Sequence, residues 1–81
     1  MPVRTQVIDI ITQVGREQEK RLAPLADELA LLDSGLDSLC LAIIVARLED
    51  TLAVDPFSGD EEVELPTTIG DLIRLYERAT R

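Results

Sequence analysis

The sequence predicts an all-α fold: a small helical bundle of three main helices plus one short helix, with a long loop between helices 1 and 2. Three observations lead there. In three separate stretches apolar residues recur at spacings of three and four, and nowhere do they keep the strict alternation of a half-buried strand. Hydrophobic residues make up 46% of the chain, yet Phe57 and Tyr76 are its only aromatics, so the interior must be built from Leu, Ile and Val. No internal repeat or low-complexity linker divides the chain, so residues 1–81 read as a single domain. A chain of this length buries only about 60% of the surface its unfolded form exposes. Its expected stability is on the order of a few kcal/mol.

Val3, Val7, Ile10, Ile11 and Val14 lie on one face of a first helix. Pro2 suits its first position and Gly15 its end, while Arg16 to Lys20 offer an extension by one turn. From about residue 16 to 35 the helical period is lost, although Leu22, Leu25, Leu29, Leu31 and Leu32 stud the segment. Pro24 offers a short turn over 25 to 30, but the stretch reads better as a long connection pinned to the core by its leucines. Its task would be geometric, delivering Ser38 to the surface.

The second helix is expected from Ser38 to about Ala53, with Asp37 as N-cap and Ser38 in the first turn. Leu41, Ile44, Val45, Leu48 and Leu52 fall on one face and Ala42 flanks it. The opposite side holds Cys40, Ile43, Arg47 and Asp50, of which the first two are apolar where a solvated face would be polar. They read as a small partner-facing patch. Asp55-Pro56 ends this helix and Phe57-Ser58-Gly59 turns the chain. Ser58 then suits the cap of a short acidic helix over Asp60 to Leu65, with Val63 and Leu65 touching the core. A calcium site at Asp55, Ser58 and Asp60 fails the ligand spacing of the helix-loop-helix pattern. After Pro66, Thr67 can cap a last helix, and Thr68 with Asp71 offers an alternative capping box one residue on. Ile69, Leu72, Ile73 and Tyr76 form its apolar face, and Arg74, Arg78 and Arg81 complement the negative end of its dipole.

Composition narrows the functional classes. Sixteen Asp and Glu against eight Lys and Arg give a net charge of −8, which disfavours nucleic acid and anionic lipid and favours basic protein partners. There is no histidine, and Cys40 is the only cysteine, so disulfide frameworks, zinc sites and a histidine-based triad are excluded and no metal site is expected. Arg4 and Asp9 interrupt the N-terminal stretch, which is neither a secretory signal nor a membrane span. A reducing, cytoplasmic setting and a monomeric state are the default expectations.

The remaining signal is Asp33-Ser34-Gly35-Leu36-Asp37-Ser38-Leu39, which joins a turn to an apolar helix. Glycine supplies a tight approach, and the helix supplies unpaired N–H groups and a partial positive end. A phosphate ester on Ser38 would sit where a helix best tolerates negative charge. Gly35-Leu36-Asp37-Ser38-Leu39 resembles the attachment motif of the acyl carrier and peptidyl carrier protein family, and the order of elements is similar to that fold over essentially the whole chain.

The resemblance implies that Ser38 carries a 4′-phosphopantetheine arm, with Asp37 its acidic neighbour, Leu39 the adjoining apolar position and Gly35 in the approach. It implies a free-standing, non-enzymatic acyl carrier that holds intermediates as thioesters in fatty-acid, polyketide or related specialised biosynthesis. The implied partners are a phosphopantetheinyl transferase and acyl- or aminoacyl-loading and acyl-transfer enzymes. The alternatives are an aminoacyl or peptidyl carrier of nonribosomal type and an unmodified acidic helical interaction module. Fatty-acid carriers tend to be acidic along the exposed side of the second helix, whereas here Cys40, Ile43 and Arg47 precede Glu49 and Asp50. Docking through Cys40, Ile43, Arg47 and Asp50 is therefore expected to be less electrostatic. A serine hydrolase is a poor rival, because the chain lacks Gly-x-Ser-x-Gly as well as histidine. A redox thiol at Cys40 is a weaker rival still.

Overall fold

The computed structural model describes residues 2–54 and 65–80 of the chain. Three helices, α1 (Val3–Glu17), α2 (Ser38–Leu52) and α3 (Ile69–Ala79), form a small all-α bundle, and a single 3-10 turn (Leu31–Asp33) lies in the connection between α1 and α2. Among the described residues there is no strand, only an isolated bridge between Ala30 and Thr68. No described helix is long and apolar enough to cross a membrane. The fourth, acidic helix expected over residues 60 to 65, the turn at Phe57-Ser58-Gly59 and the residues weighed for calcium fall outside the described residues, save Leu65.

α1 packs against both other helices. Val7, Ile11 and Val14 are completely buried and Ile10 nearly so, as their spacing requires. Gly15 does not stop the helix: it is buried within it, and a β-carbon there would lie 2.7 Å from Leu22 Cδ1. Its role is to let the returning loop pack closely, and Glu19, in the left-handed region at φ 57°, turns the chain instead. The carbonyl of Gly15 accepts the Lys20 N–H at 2.8 Å.

The buried line of α2 runs through Cys40, Ile44 and Leu48. Leu41, Ile43 and Leu52 are partly buried against the same core. This face is rotated from the expected one, which was centred between Leu41 and Val45. The helix is apolar around most of its circumference, so local pattern leaves its phase open and packing against α1 sets it. Ala53, left-handed at φ 54°, ends α2, and the Val54 N–H donates to the Glu49 carbonyl at 3.2 Å.

α3 begins at Thr68, the true N-cap, whose hydroxyl oxygen accepts the Asp71 N–H at 3.0 Å. Thr67 is not the cap. Its hydroxyl and N–H both donate to Asp71 Oδ2, at 2.9 and 3.3 Å, closing the box from outside the helix. Ile69, Leu72, Ile73 and Tyr76 are all buried.

The long connection is ordered by backbone hydrogen bonds and by leucines. Leu31 and Leu36 are buried, and Leu22, Leu25 and Leu29 pack on the core, but Leu32 is 82% exposed and anchors nothing. Leu65 is likewise 77% exposed rather than part of the core. The Ile69 and Gly70 N–H groups donate to the carbonyls of Leu29 and Asp27, and the Leu31 N–H to that of Thr67, so the loop backbone satisfies the open end of α3. Arg4 grips Asp27 with two hydrogen bonds of 2.6 and 2.9 Å, holding the same loop to α1.

Candidate functional site

The site is built where the loop re-enters the bundle. Ser34 is completely buried; its hydroxyl donates to the Leu31 carbonyl and accepts the Leu36 N–H. Gly35 follows at φ +100°, a conformation that L side chains rarely adopt. The Arg21 carbonyl lies over it, and Ala23 N–H donates to the Ser34 carbonyl at 2.9 Å, so the two ends of the connection run side by side. Leu36 then plunges into the core, only 4% exposed.

Asp37 is extended and caps α2: its Oδ1 accepts the Cys40 N–H at 2.8 Å, and its Oδ2 lies 3.0 Å from the Lys20 ammonium. The Cys40 N–H, and after it Lys20, hold this carboxyl far below the usual carboxylate range, and Asp37 in turn raises the pKa of Lys20. The site therefore contains a fixed anion and a fixed cation. The Leu41 N–H donates to the Asp37 carbonyl at 3.0 Å, whereas the N–H groups of Ser38 and Leu39 precede the first intrahelical bond.

Ser38 is the first residue of α2 and is exposed, and Leu39 beside it is 60% exposed. Buried Leu36 and buried Cys40 flank them, so a short outward-facing step carries the hydroxyl between two inward anchors. Gly35, Asp37, Ser38 and Leu39 thus lie together at the turn into α2, with Ser38 and Leu39 exposed.

The expected docking residues fare differently. Cys40 is completely buried and faces the core, not a partner. Its position three residues after the cap turns inward once Ser38 and Leu39 turn outward. Ile43 is partly buried on the core as well. Arg47 forms a bidentate ion pair with Glu17, both hydrogen bonds 2.6 Å, which ties α2 to α1 and commits its charge within the fold. Only Asp50 of the four is exposed. The outward ridge of α2 is instead Leu39, Ala42, Ala46 and Asp50, at spacings of three, four and four. The signal for it was present in the exposed Ser38, because positions one and two turns from Leu39 share its side.

An apolar cavity of about 210 Å³ lies among Leu31, Leu41, Ile44, Val45, Leu65, Pro66 and Leu72. Lys20, which pairs with Asp37, was not indicated by the sequence; seventeen residues separate the two, and nothing in local spacing marks the pair. Among the described residues no group of three or more His, Cys, Asp or Glu side chains is placed to hold a metal ion. In comparison with known proteins, the chain matches no family model, no curated protein and no solved structure.

Proposed function

We propose that this chain is a carrier protein: Ser38 is esterified with 4′-phosphopantetheine, and the loaded arm passes acyl intermediates between partner enzymes. The observation that carries the reading is the exposed Ser38 hydroxyl at the positive end of α2, held between buried Leu36 and Cys40 with Asp37 as cap. When bound, the arm supplies a terminal thiol on which an acyl or aminoacyl group rides as a thioester.

The residues present fit the group. In its attachment, Ser38 Oγ bonds to the phosphorus on the pantetheine side of coenzyme A's pyrophosphate. The bridging P–O bond breaks, adenosine 3′,5′-bisphosphate leaves with the electron pair, and the hydroxyl proton passes to a base of the transferase. This chain has no histidine to act as that base. What it contributes is position: Gly35, Leu36 and Asp37 fix the serine, and the first-turn amides and helix dipole favour the phosphodiester's negative charge. Tethering then raises the effective concentration of cargo for each enzyme in turn, with no catalysis by the carrier. The apolar cavity under α2 suits an aliphatic cargo. A cytoplasmic setting belongs to the same reading, as do a phosphopantetheinyl transferase and acyl-loading and acyl-transfer enzymes as partners.

Intact-mass spectrometry tests the proposal. Incubation with coenzyme A, magnesium and a broad-specificity phosphopantetheinyl transferase should add the mass of the arm to the wild-type chain. Ser38→Ala should remain folded, because Ser38 is exposed and the cap bond is made by the Asp37 side chain, so the change in stability is within about 0.5 kcal/mol, and it should gain nothing. A wild-type chain that gains no mass overturns the reading.

A further inference from the structure

The ion pair at the start of α2 draws its cation from the far side of the loop. Glu19 reverses the chain after α1, and Lys20 is anchored by its own N–H on the Gly15 carbonyl, so its side chain departs from a fixed base. Residues 20–23 then run beside 34–37, with the Arg21 carbonyl over Gly35 and Ala23 bonded to Ser34. From this base the Lys20 ammonium reaches Asp37 Oδ2 at 3.0 Å, next in sequence to the serine hydroxyl. Three other cations are engaged elsewhere: Arg4 with Asp27, Arg47 with Glu17 and Arg74 with Asp71.

A phosphoryl group brought to Ser38 meets a carboxylate on the preceding residue. Like charges a few ångströms apart repel strongly even near a protein surface. Asp37 cannot be dispensed with, because its other oxygen caps the helix that presents the serine. A cation held on the outer oxygen resolves the conflict, since it leaves the cap in place and offsets its charge.

We propose that Lys20 is a positioning residue for the modification of Ser38, keeping Asp37 in its capping geometry and balancing its charge so that an anionic phosphoryl group is accepted beside it. This rests on the carrier reading and adds to it a determinant that lies outside the attachment motif. Lys20 acts through Asp37 and transfers no proton.

The test uses the full chain with coenzyme A and the same transferase, the carrier being the varied substrate. Lys20→Gln should lower kcat/KM about two- to fivefold, the range of an exposed ion pair. Lys20→Glu should lower it further, and Lys20→Arg should stay within about twofold of wild type. Raising the salt concentration should narrow the gap between wild type and Lys20→Glu. In the unmodified proteins, carbon-detected NMR titration should show the Asp37 carboxyl titrating at higher pH in Lys20→Gln than in wild type or Lys20→Arg. A merely structural lysine would change melting temperature without this charge-dependent order. If wild type takes the arm, and the Gln and Glu variants take it with unchanged kcat/KM, the role of Lys20 is refuted while the carrier reading stands. If wild type takes no arm, both fall.

Discussion

The carbonyl oxygen of Arg21 occupies the space that a β-carbon on Gly35 would need. The obstruction is backbone, part of the paired segments 20–23 and 34–37, and cannot swing aside as a side chain would. Gly35 also holds φ at +100°. Gly35→Ala should therefore destabilise the protein by about 1–3 kcal/mol through strain and clash together. Gly15→Ala, which meets the Leu22 side chain and no backbone atom among its nearest neighbours, should cost less. Urea unfolding of the two variants checks the order; equal losses would mean that the loop yields more readily than its hydrogen bonds suggest.

The two threonines before α3 separate a helix cap from its neighbour. Thr68→Ala removes the acceptor for the Asp71 N–H and should cost about 1 kcal/mol. Thr67→Ala removes only a bond to an exposed carboxylate and should cost clearly less. Thermal melts of the pair read the difference, and a larger loss at Thr67 would move the cap one residue back.

Burial makes Cys40 silent. With none of its surface exposed, its thiol should be inert to a water-soluble disulfide reagent in the native protein and react fully in denaturant. Fast native reaction would require the start of α2 to open readily and would undo the inward placement of this side chain.

Acid should act through four exposed carboxylates whose folded pKa values lie below their unfolded ones. The Cys40 N–H and Lys20 lower Asp37; the Thr67 hydroxyl and Arg74 lower Asp71 to about 2; Arg4 lowers Asp27 and Arg47 lowers Glu17. Their contribution is complete only above about pH 5 to 6, where the unfolded carboxylates are fully ionised, and is lost as pH falls through the folded values. Lys20, raised by Asp37, has the opposite sign: its contribution holds below about pH 10 and is lost as pH rises through its folded value. Stability measured by denaturant titration should fall most steeply between about pH 4 and pH 2. Added salt should flatten that fall, because exposed pairs are screened.

The helices were legible because each carries its own period and punctuation. Val7, Ile11 and Val14 mark α1, Ile69, Leu72, Ile73 and Tyr76 mark α3, and Asp37 signals the start of α2 from its position alone. The phase of α2 was not legible. With apolar residues on most sides, Cys40 could be drawn outward on a helical wheel, and it is the packed core that shows it completely buried. Gly15 misled for a related reason: a glycine near a helix end reads as a stop until Leu22, seven residues on, is seen to need the space. The pairs Arg47 with Glu17 and Lys20 with Asp37 are tertiary, made by side chains that no local spacing brings together.

The bonds from Ile69 and Gly70 to Leu29 and Asp27 bear on how the loop tolerates a change of length. An irregular stretch between helices is ordinarily where insertions and deletions accumulate, but this one is spliced onto a helix forty residues downstream. Lengthening or shortening it between Asp27 and Leu31 would break these bonds and unseat the start of α3, so the loop tolerates such changes less well than its irregular backbone suggests.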